Sequence, residues 1–358
     1  MFTYFRVFVL QAVLASLFLL TLQTTSASEP ATAGTGCTTV QLGAFGKSVM
    51  YDVAQQEGFF SQEGLCVKYN QVVSSTQQFN TFLAGGYDII STALDNVANR
   101  VVNQGKAITM VAAQDKGPGF VLAINTAKGV NSIADLKGKA IAVDAPDSGF
   151  VFALRKVLAA NGLYYPQDYS FELVGGTFQR YLSLINPATS TLATLLNPPF
   201  TLAVHDPIKI VAKVSDYLSP IQNAGYAVTR SYADSNGSTI TAFIKALIEA
   251  GSFIAEPANH SRVVQDIINE QSLPPSQAEA TYQLALDPVS GENLDAKMDR
   301  QGMINIINLR TEFNGFTNPP NAEAFVRPSR HGFYDSAFWR AACKSAGQQP
   351  CGNGPANE

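Results

Sequence analysis

The sequence has few of the residues on which most catalytic and metal sites depend. Its three histidines, His205, His260 and His331, stand far apart and match no metal-ligand spacing. It contains no Gly-x-Ser-x-Gly motif, which excludes the nucleophile elbow of an α/β hydrolase. The segment Gly46-Lys47-Ser48 resembles the end of a phosphate-binding loop, but position 41 is Gln41 where that motif requires glycine. The sequence therefore predicts no catalytic residue, no metal site and no cofactor.

The chain also lacks an excess of positive charge. It has 24 lysine and arginine residues against 28 aspartate and glutamate residues, a formal net charge of -4. Arg6 is the only charged side chain in residues 1–27, so without that segment the net charge is -4 - 1 = -5. This balance argues against a nucleic-acid or anionic-membrane surface. The hydrophobic and charged fractions, 46% and 15%, are those of an ordinary soluble globule long enough for two domains.

The N-terminal segment has the pattern of a secretory signal. An apolar run from Val7 to Leu22 follows Arg6, and the small residues Thr24 to Ala27 come after it. The run is shorter than the roughly 20 residues that a membrane-spanning helix needs, which makes a transmembrane anchor the weaker alternative. We predict a signal peptide over residues 1–27 and a mature protein that is secreted, or periplasmic in a bacterium.

Only four cysteines are present: Cys37, Cys66, Cys343 and Cys351. In a secreted chain they predict two disulfides, for which three pairings are possible. If Cys37 and Cys66 begin neighbouring parallel strands, both lie at the same end of a sheet, which makes a bridge between them reasonable. Cys343 and Cys351 then close a small loop at the C-terminal tail, residues 341–358. Free buried thiols are the alternative.

Two Asn-x-Ser sequons, at Asn236 and Asn259, are typical of a secreted eukaryotic glycoprotein. Such triplets also arise easily by chance. We treat the two asparagines as predicted glycosylation sites, and the sequons alone do not establish the source kingdom.

Strands alternate with short helices between residues 39 and 214, which predicts a mainly parallel α/β sheet with helices on both faces. We expect Ser48, Ser75 and Ser148 to cap helices, and Ser75 with Gln78 to form a capping box. From residue 238 onward the pattern is almost wholly helical. The predicted strands are 39–45, 65–73, 87–93, 107–113, 120–125, 140–144, 169–174, 194–196 and 208–214.

A break at Gly117-Pro118-Gly119 divides this pattern. The strand after it, 120–125, is predicted to cross into a second lobe, and the segment from Gly225 to Arg230 is predicted to return. We therefore expect a first lobe from residues 37–119 plus 226–340 and a second lobe from residues 120–225. Two α/β lobes joined by two crossings form a hinged cleft.

Several short motifs, taken in their order along the chain, resemble those of the substrate-binding proteins of nitrate, sulfonate, taurine and thiamine-pyrimidine transport. The resemblance covers roughly residues 39–340. It departs from the family at Ser190–Thr194, where a Gly-x-Val-Asp-Ala strand is usual and the aspartate is missing. The motifs are Glu57-Gly58-Phe59-Phe60, Glu63-Gly64-Leu65, Tyr87-Asp88-Ile89, Ala93-Leu94-Asp95-Asn96-Val97-Ala98, Ile133-Ala134-Asp135-Leu136-Lys137-Gly138-Lys139, Leu196-Asn197-Pro198-Pro199-Phe200 and Gly332-Phe333-Tyr334-Asp335.

The resemblance implies a type II periplasmic-binding-protein fold with a ligand held between two lobes. If the source is bacterial, the resemblance also implies a partner, the membrane permease of an ATP-hydrolysing transporter. If the source is eukaryotic, such a partner is doubtful. A cytosolic fungal enzyme that makes the thiamine pyrimidine shares the fold family, but its cysteine-rich motif is not found here.

In an open α/β sheet ligands lie outside the carboxyl ends of the strands, beside helix N-termini. Four loops at predicted strand ends meet this condition: 45–48, 74–77, 92–96 and 147–150. Asn197 and Phe200 lie in a similar loop of the second lobe, as the resemblance also implies. The predicted ligand-binding residues are Phe45, Lys47, Ser48, Ser74, Ser75, Thr76, Thr92, Asp95, Asn96, Asp147, Ser148, Gly149, Asn197 and Phe200.

Each of these residues has a structural alternative. Ser75, Ser148 and Asp95 are equally compatible with roles as helix caps, and the phenylalanines with the core. A cleft-facing Asp95 favours a ligand with an amine or ring N–H, whereas Lys47 favours an anion, and the sequence does not decide between them. We predict a monomeric secreted protein that binds a small polar or heterocyclic molecule. The alternative is a secreted enzyme or an interaction protein with the same fold.

Overall fold

The structure, a computed structural model, describes residues 36–117, 119–348 and 351. Within these ranges the chain forms ten strands in two sheets and thirteen α-helices, which confirms the predicted two-lobe α/β fold. The predicted signal peptide and part of the predicted tail lie outside the described residues. The strands are β1 (Thr38–Ala44), β2 (Leu65–Gln71), β3 (Ile89–Ala93), β4 (Ile108–Ala113), β5 (Val121–Asn125), β6 (Lys139–Val143), β7 (Tyr169–Leu173), β8 (Ala193–Leu196), β9 (Ile208–Lys213) and β10 (Ala224–Thr229).

The helices follow the strands in the first two thirds of the chain and dominate the last third. They are α1 (Val49–Gln56), α2 (Phe59–Gln62), α3 (Ser75–Leu83), α4 (Leu94–Gln104), α5 (Gly149–Ala160), α6 (Thr177–Ile185), α7 (Arg230–Ser235), α8 (Gly237–Ala255), α9 (His260–Gln271), α10 (Pro275–Ala285), α11 (Arg300–Glu312), α12 (Ala322–Phe325) and α13 (Ala337–Ser345).

The first sheet has the strand order β2-β1-β3-β10-β4. β1 pairs in parallel with β2 and β3, whereas β10 is antiparallel to both of its neighbours, β3 and β4. β10 is reversed because it is the strand on which the chain returns from the second sheet. The carboxyl ends of β1 to β4 therefore meet at one edge, and the loops that follow them lie side by side.

The second sheet repeats this arrangement with the order β7-β6-β8-β5-β9. β6 pairs in parallel with β7 and β8, and β5 is antiparallel to β8 and β9. β5 is the strand that enters from the first sheet. The two crossings are bonded to each other, since the Asp115 carboxylate accepts a 3.0 Å bond from the Ala224 amide. The sheets are thus joined at one place by two adjacent segments.

Adjacent residues of a strand point to opposite faces of the sheet, so both faces of each sheet present apolar side chains. Helices cover both faces. In β3, Ile89 packs in one apolar cluster and Ile90 in another. In β5, Leu122 and Ala123 divide in the same way. Among the described helices α8 is long and apolar enough to cross a membrane, but half of it is buried against neighbours that include α1 and α13. Its place here is that of a core helix.

Both disulfides of the expected pairing, Cys37 with Cys66 and Cys343 with Cys351, are present. Cys37 bridges to Cys66 with a Cα–Cα distance of 5.5 Å, and Cys343 bridges to Cys351 with 5.6 Å. Parallel pairing of β1 with β2 aligns Thr38 with Leu65, which brings the first two cysteines to the same end of the sheet. Closing a loop of 29 residues stabilises the fold by about 3–4 kcal/mol in the loop-entropy model.

The prediction that Ser75 caps the second helix is wrong by one residue. Ser74 has the extended backbone of an N-cap, and its hydroxyl accepts the Gln77 amide at 3.2 Å. Ser75 is the first residue of α3, and its side chain is free for other contacts. Ser48 does cap α1, accepting the Tyr51 amide at 3.1 Å. Ser148 precedes α5, but its hydroxyl makes no capping bond.

Candidate functional site

The loops at the carboxyl edges of the two sheets face each other across a narrow cleft. Two segments touch there directly: the Gly176 amide, after β7, donates a 2.8 Å bond to the Val73 carbonyl, after β2. A side chain at Gly176 would meet that carbonyl at 3.2 Å and the Phe45 ring at 3.4 Å. Glycine at this position therefore allows the two edges to approach. We refer to the space between the edges as the inter-lobe cleft.

A carboxylate from the second lobe lies at the centre of the cleft contacts. Asp144, directly after β6, accepts a 2.8 Å bond from the Ser75 hydroxyl through Oδ2 and a 2.6 Å bond from the Ser148 hydroxyl through Oδ1. All three residues are buried. Two predicted site residues, Ser75 and Ser148, thus contact one side chain, Asp144, that was not among the predicted site residues. Asp144 ends the predicted strand 140–144, so the strand-end rule could have found it.

Asp95 serves a different contact from the one predicted. It neither caps α4, whose N-cap is Ala93, nor stands free in the cleft. Both carboxylate oxygens accept from the guanidinium of Arg310 on α11, at 2.8 and 2.7 Å, and both side chains are almost fully buried. Arg310 also donates to the carbonyl of Asp147 in the second lobe. This ion pair therefore joins α4 and α11 to the loop before α5.

Neighbouring residues of α4 extend the same contact. Asn96 accepts a 2.8 Å bond from the Gly149 amide through Oδ1, and Asn99 donates a 2.8 Å bond to the Asp147 carboxylate. A Cβ added at Gly149 would lie 3.0 Å from the Cβ of Asp95, so glycine permits this approach. Three predicted site residues, Asn96, Asp147 and Gly149, thus join the lobes directly, and Asp95 takes part through Arg310. We call these contacts, with Arg310, the inter-lobe clasp.

A buried arginine supports the opposite wall. Arg180 of α6 is 2% exposed and donates to Gly175 O at 2.7 Å, Thr194 Oγ1 at 2.9 Å and Thr177 Oγ1 at 3.1 Å. Burial lowers the pKa of its guanidinium to about 10, against the opposing effect of Asp144. The loop before α6 follows the end of β7 and meets the strand-end rule, but it was not among the four predicted loops.

The second-lobe residues Asn197 and Phe200 lie beside this arginine. Thr177 donates a 2.6 Å bond to Asn197 Oδ1, and the Asn197 amide donates to the Pro198 carbonyl at 3.0 Å. The ring of Phe200 lies 5.4 Å from that of Tyr181 and is half-buried. Asn197 is therefore oriented from both ends, and Phe200 adds apolar surface next to it.

The remaining predicted residues belong to the first lobe. Lys47 is directed away from the cleft, with its Nζ 2.6 Å from both the carbonyl and the carboxylate of Glu270 on α9. Thr92 is buried beside Asn96, Thr76 is exposed, and Phe45 is half-buried at the cleft edge. The structure thus brings Phe45 to the cleft and does not bring the Lys47 ammonium there.

Two further carboxylates lie at the crossing between the lobes. Glu292, in the loop between α10 and α11, accepts the Val49 amide at 2.6 Å and the Met50 amide at 2.9 Å, the free N–H groups that begin α1. Asp115 accepts from the Ala224 amide at the crossing. Burial raises the pKa of each carboxyl to about 7, although these hydrogen bonds oppose the shift. No local sequence pattern marks Glu292, because its partners are more than 240 residues away.

A second depression lies outside the cleft. It is a shallow groove of about 410 Å³ between α8 and α13. Its walls carry small side chains, the ring of Phe338 and the Lys245–Glu63 ion pair. In the described part of the chain no group of three His, Cys, Asp or Glu side chains is arranged to hold a metal ion.

The inter-lobe clasp should contribute strongly to stability. We expect Arg310→Met to lower the free energy of unfolding by about 3–5 kcal/mol, because Asp95 would be left buried without its partner. Urea denaturation of the purified protein measures this change. Arg300→Met, at an exposed position of the same helix, is the control and should change it by less than about 0.5 kcal/mol.

A double variant separates the charge from the packing. Arg310→Met combined with Asp95→Leu removes both charges, so part of the lost stability should return. An Arg310→Met variant as stable as Arg300→Met would show that the ion pair does not stabilise the fold.

Several buried carboxyl groups with raised pKa values predict that the folded state is more stable at mildly acidic pH than at neutral pH. Asp266, on α9, has its pKa raised to about 7, chiefly by burial, as have Asp115 and Glu292, and burial also raises the pKa of Asp52 on α1. In the unfolded chain these groups titrate near pH 4. Between about pH 4.5 and pH 7 the folded state therefore binds more protons, and stability falls as pH rises.

We expect a melting temperature roughly 4 °C or more higher at pH 5 than at pH 8, measured by differential scanning calorimetry. Asp266→Asn should reduce this difference, because the amide does not titrate. A melting temperature that increases from pH 5 to pH 8 would contradict the prediction.

Comparison with known proteins identifies the family. No curated protein sequence matches this chain. Three solved structures share the fold. A protein from Bordetella bronchiseptica RB50 is 19% identical with a TM-score of 0.70, and the match covers 87% of this chain and 98% of that one. The alkanesulfonate-binding protein SsuA from Xanthomonas axonopodis pv. citri bound to MOPS is 15% identical with a TM-score of 0.64 (81% of this chain, 98% of that one), and the periplasmic nitrate-binding protein NrtA from Synechocystis PCC 6803 is 14% identical with a TM-score of 0.69 (86% of this chain, 89% of that one). The family model described as NMT1/THI5 like matches residues 47–259, more than half of the chain. The chain therefore belongs to the NMT1/THI5-like family, as the sequence motifs had indicated.

Proposed function

We propose that this protein is a secreted solute-binding protein that captures a small polar or heterocyclic molecule in the inter-lobe cleft. The observation that carries the proposal is the convergence of Ser75, from the first lobe, and Ser148, from the second, on the Asp144 carboxylate. Polar groups of both lobes meet there in a buried place at the carboxyl edges of two sheets, where α/β folds bind ligands.

The similar structures support a binding role without specifying the ligand. Two of them carry names that describe nitrate or alkanesulfonate binding. Their sequence identities of 14–15% support the fold only, so neither ligand is transferred to this chain. Sulfonates, nitrate, taurine and pyrimidine-like molecules are the candidate ligands that the family resemblance suggests.

The proposed ligand contacts form a subset of the residues that the sequence suggested. Ser75, Ser148, Asn197, Phe45 and Phe200 lie at the cleft edges and can contact a ligand between the lobes. The residues of the clasp have a different proposed role. Their contacts join the two lobes, directly or through Arg310, and we propose that they set the distance at which the two edges meet.

Binding without turnover is the proposed activity. The carboxylate at the centre of the cleft accepts bonds from both serines and so orients polar groups of both lobes. A secreted enzyme or an interaction protein with the same fold remains the alternative. Conversion of the bound compound on incubation would identify an enzyme.

Secretion is supported by the two disulfides, which are typical of proteins that fold in an oxidising compartment. We propose that the protein is a monomer that is extracellular, or periplasmic in a bacterium, where a permease would receive the ligand. Asn236 and Asn259 are proposed glycosylation sites of a eukaryotic source. Both are partly accessible, and each side-chain amide donates to a backbone carbonyl, at 3.2 and 3.0 Å.

Native mass spectrometry of the freshly purified protein tests the binding role. We expect an adduct of about 80–400 Da, the size that an inter-lobe pocket of ordinary volume accommodates. Adding the released compound back should raise the melting temperature, since occupancy at 100 times the Kd stabilises by about 2.7 kcal/mol. A protein that carries no adduct and shows no thermal shift with nitrate, sulfonates, pyrimidines or amines would contradict the proposal.

Two adjacent serines provide a matched test of the site. Ser75→Ala removes the hydroxyl that reaches Asp144, and we expect it to raise the Kd of the identified ligand about tenfold, the effect of one hydrogen bond to a charged group. Ser74→Ala removes only a helix cap, so it should lower the free energy of unfolding by about 1 kcal/mol and leave the Kd unchanged. Isothermal titration calorimetry compares them. Equal Kd values for both variants and the wild type would remove Ser75 from the site.

A further inference from the structure

A proposed glycosylation site lies at one end of the groove between α8 and α13. Asn236 is the residue before α8, and the other two residues of its sequon, Gly237 and Ser238, line the groove. The second sequon, Asn259 to Ser261, follows the opposite end of α8 and is not part of the lining among the described residues. A sugar chain attached to Asn236 would therefore start at the entrance of a depression that the fold already contains.

The Asn236 side chain can carry a glycan without losing its place in the fold. It is half-buried, and its amide nitrogen donates a 3.2 Å bond to the Tyr232 carbonyl. An N-linked sugar replaces one of the two amide hydrogens, so the other hydrogen can keep this bond. The Asn236 carbonyl accepts the Ile240 amide at 3.0 Å, the first bond of α8. Both bonds fix the point from which a glycan leaves the protein.

One wall of the groove is an apolar platform for a sugar ring. Phe338 of α13 is only half-buried, and a Cβ added at Gly237 would lie 3.3 Å from its ring. Glycine at position 237 thus leaves the entrance open beside this ring. Ala337 and Ala341, on the same wall, are small and exposed. The C–H face of a pyranose ring packs well on such a surface, because an aromatic side chain is both flat and apolar.

The floor and the far end of the groove carry hydrogen-bonding groups. The Thr241 hydroxyl donates to the Gly237 carbonyl at 2.8 Å and keeps lone pairs for a further bond. Ser238 is exposed beside it. At the far end Lys245 donates to Glu63, and because these are the two charged residues of the lining, the groove has no net charge. A neutral polar occupant therefore matches it better than a charged one.

The dimensions suit the first sugars of a glycan. From Gly237 to Lys245 the groove follows α8 for about 12 Å, at the rise of an α-helix. Its volume of about 410 Å³ is that of a small-ligand pocket. Such a groove is long enough for the sugar rings next to the asparagine.

We propose that the groove between α8 and α13 binds the N-linked glycan of Asn236, with the first sugar on Phe338 and the chain directed towards Lys245 and Glu63. The ligand class is a neutral N-acetylhexosamine core that the protein itself carries. Bound in this way, the glycan covers the apolar wall and stabilises the contact between the two helices. This inference rests on the proposed glycosylation of Asn236 and does not involve the ligand of the inter-lobe cleft.

Digestion with an endoglycosidase tests whether the glycan is held. The full chain is secreted from a eukaryotic cell line, and mass spectrometry follows sugar release at each asparagine in the native and in the reduced, denatured protein. We expect release at Asn236 to be at least about tenfold slower in the native protein, because the enzyme acts on a glycan that has left the groove. Release at Asn259 should differ much less between the two states.

Phe338→Ala separates binding in the groove from simple crowding around Asn236. The variant should bring the native release rate at Asn236 close to the denatured rate. Phe59→Ala is the matched control, since its ring is also half-buried against the same apolar cluster but does not line the groove. It should leave release at Asn236 slow. Release as slow from Phe338→Ala as from the wild type would assign the groove to another occupant and overturn the inference.

Phe338→Leu is the second variant in case Phe338→Ala does not fold. It keeps apolar volume and removes the flat ring, so release at Asn236 should accelerate in the same direction by a smaller factor. Native release rates that neither variant increases would also overturn the inference.

The melting temperature gives an independent measurement. Ser238→Ala and Ser261→Ala each remove one sequon and keep its asparagine. We expect the first to lower the melting temperature by roughly 2 °C and the second to change it by less than about 0.5 °C. An Asn236 without a glycan, or equal melting temperatures for the two variants, would overturn the inference and leave the solute-binding role untouched. A cleft that binds no solute would contradict the proposed function and leave this inference standing.

Discussion

One buried ion pair of the first lobe fixes the guanidinium through which that lobe contacts the second. Arg310 lies on α11, and its guanidinium holds Asp95 of α4 in two short bonds and reaches the Asp147 carbonyl of the other lobe. Its side chain is 1% exposed, and its guanidinium carbon lies 4.1 Å from the ring centroid of Phe152 on α5. Both members of the pair belong to the first lobe, so separating the lobes would break the bond from Arg310 to the Asp147 carbonyl and leave the ion pair itself intact.

The two sides of the cleft therefore differ in the cost of opening. On the clasp side the bond from Arg310 to the Asp147 carbonyl, the Asn96–Gly149 bond and apolar packing of Phe152 all act together. On the other side the direct contacts include one backbone bond, from Gly176 to Val73, and the bond from Ser75 to Asp144. Each such hydrogen bond contributes roughly 1 kcal/mol net. The contacts on this second side are thus the less costly ones to break.

The sequence was sufficient to predict the fold because the fold follows from local patterns. Alternating strands and helices, the break at Gly117 and the cap at Ser48 each act within a few residues. The structure shifts element ends by one or two positions, as at Ser74. The disulfide from Cys37 to Cys66 was also predictable, since parallel pairing brings neighbouring strand starts together.

The candidate site could be predicted only to the level of its loops. The strand-end rule located the cleft, and applied more fully it would have included Asp144 and the loop before Thr177. It could not tell that Asp95 meets Arg310, because the two are 215 residues apart. Glu292 shows the same limit: the start of α1 was recognisable as an anion-binding place, but its occupant comes from a distant loop. The fold positions the helix ends, whereas separate loop residues decide which charges meet them, so a shared fold does not by itself determine the sign of the ligand.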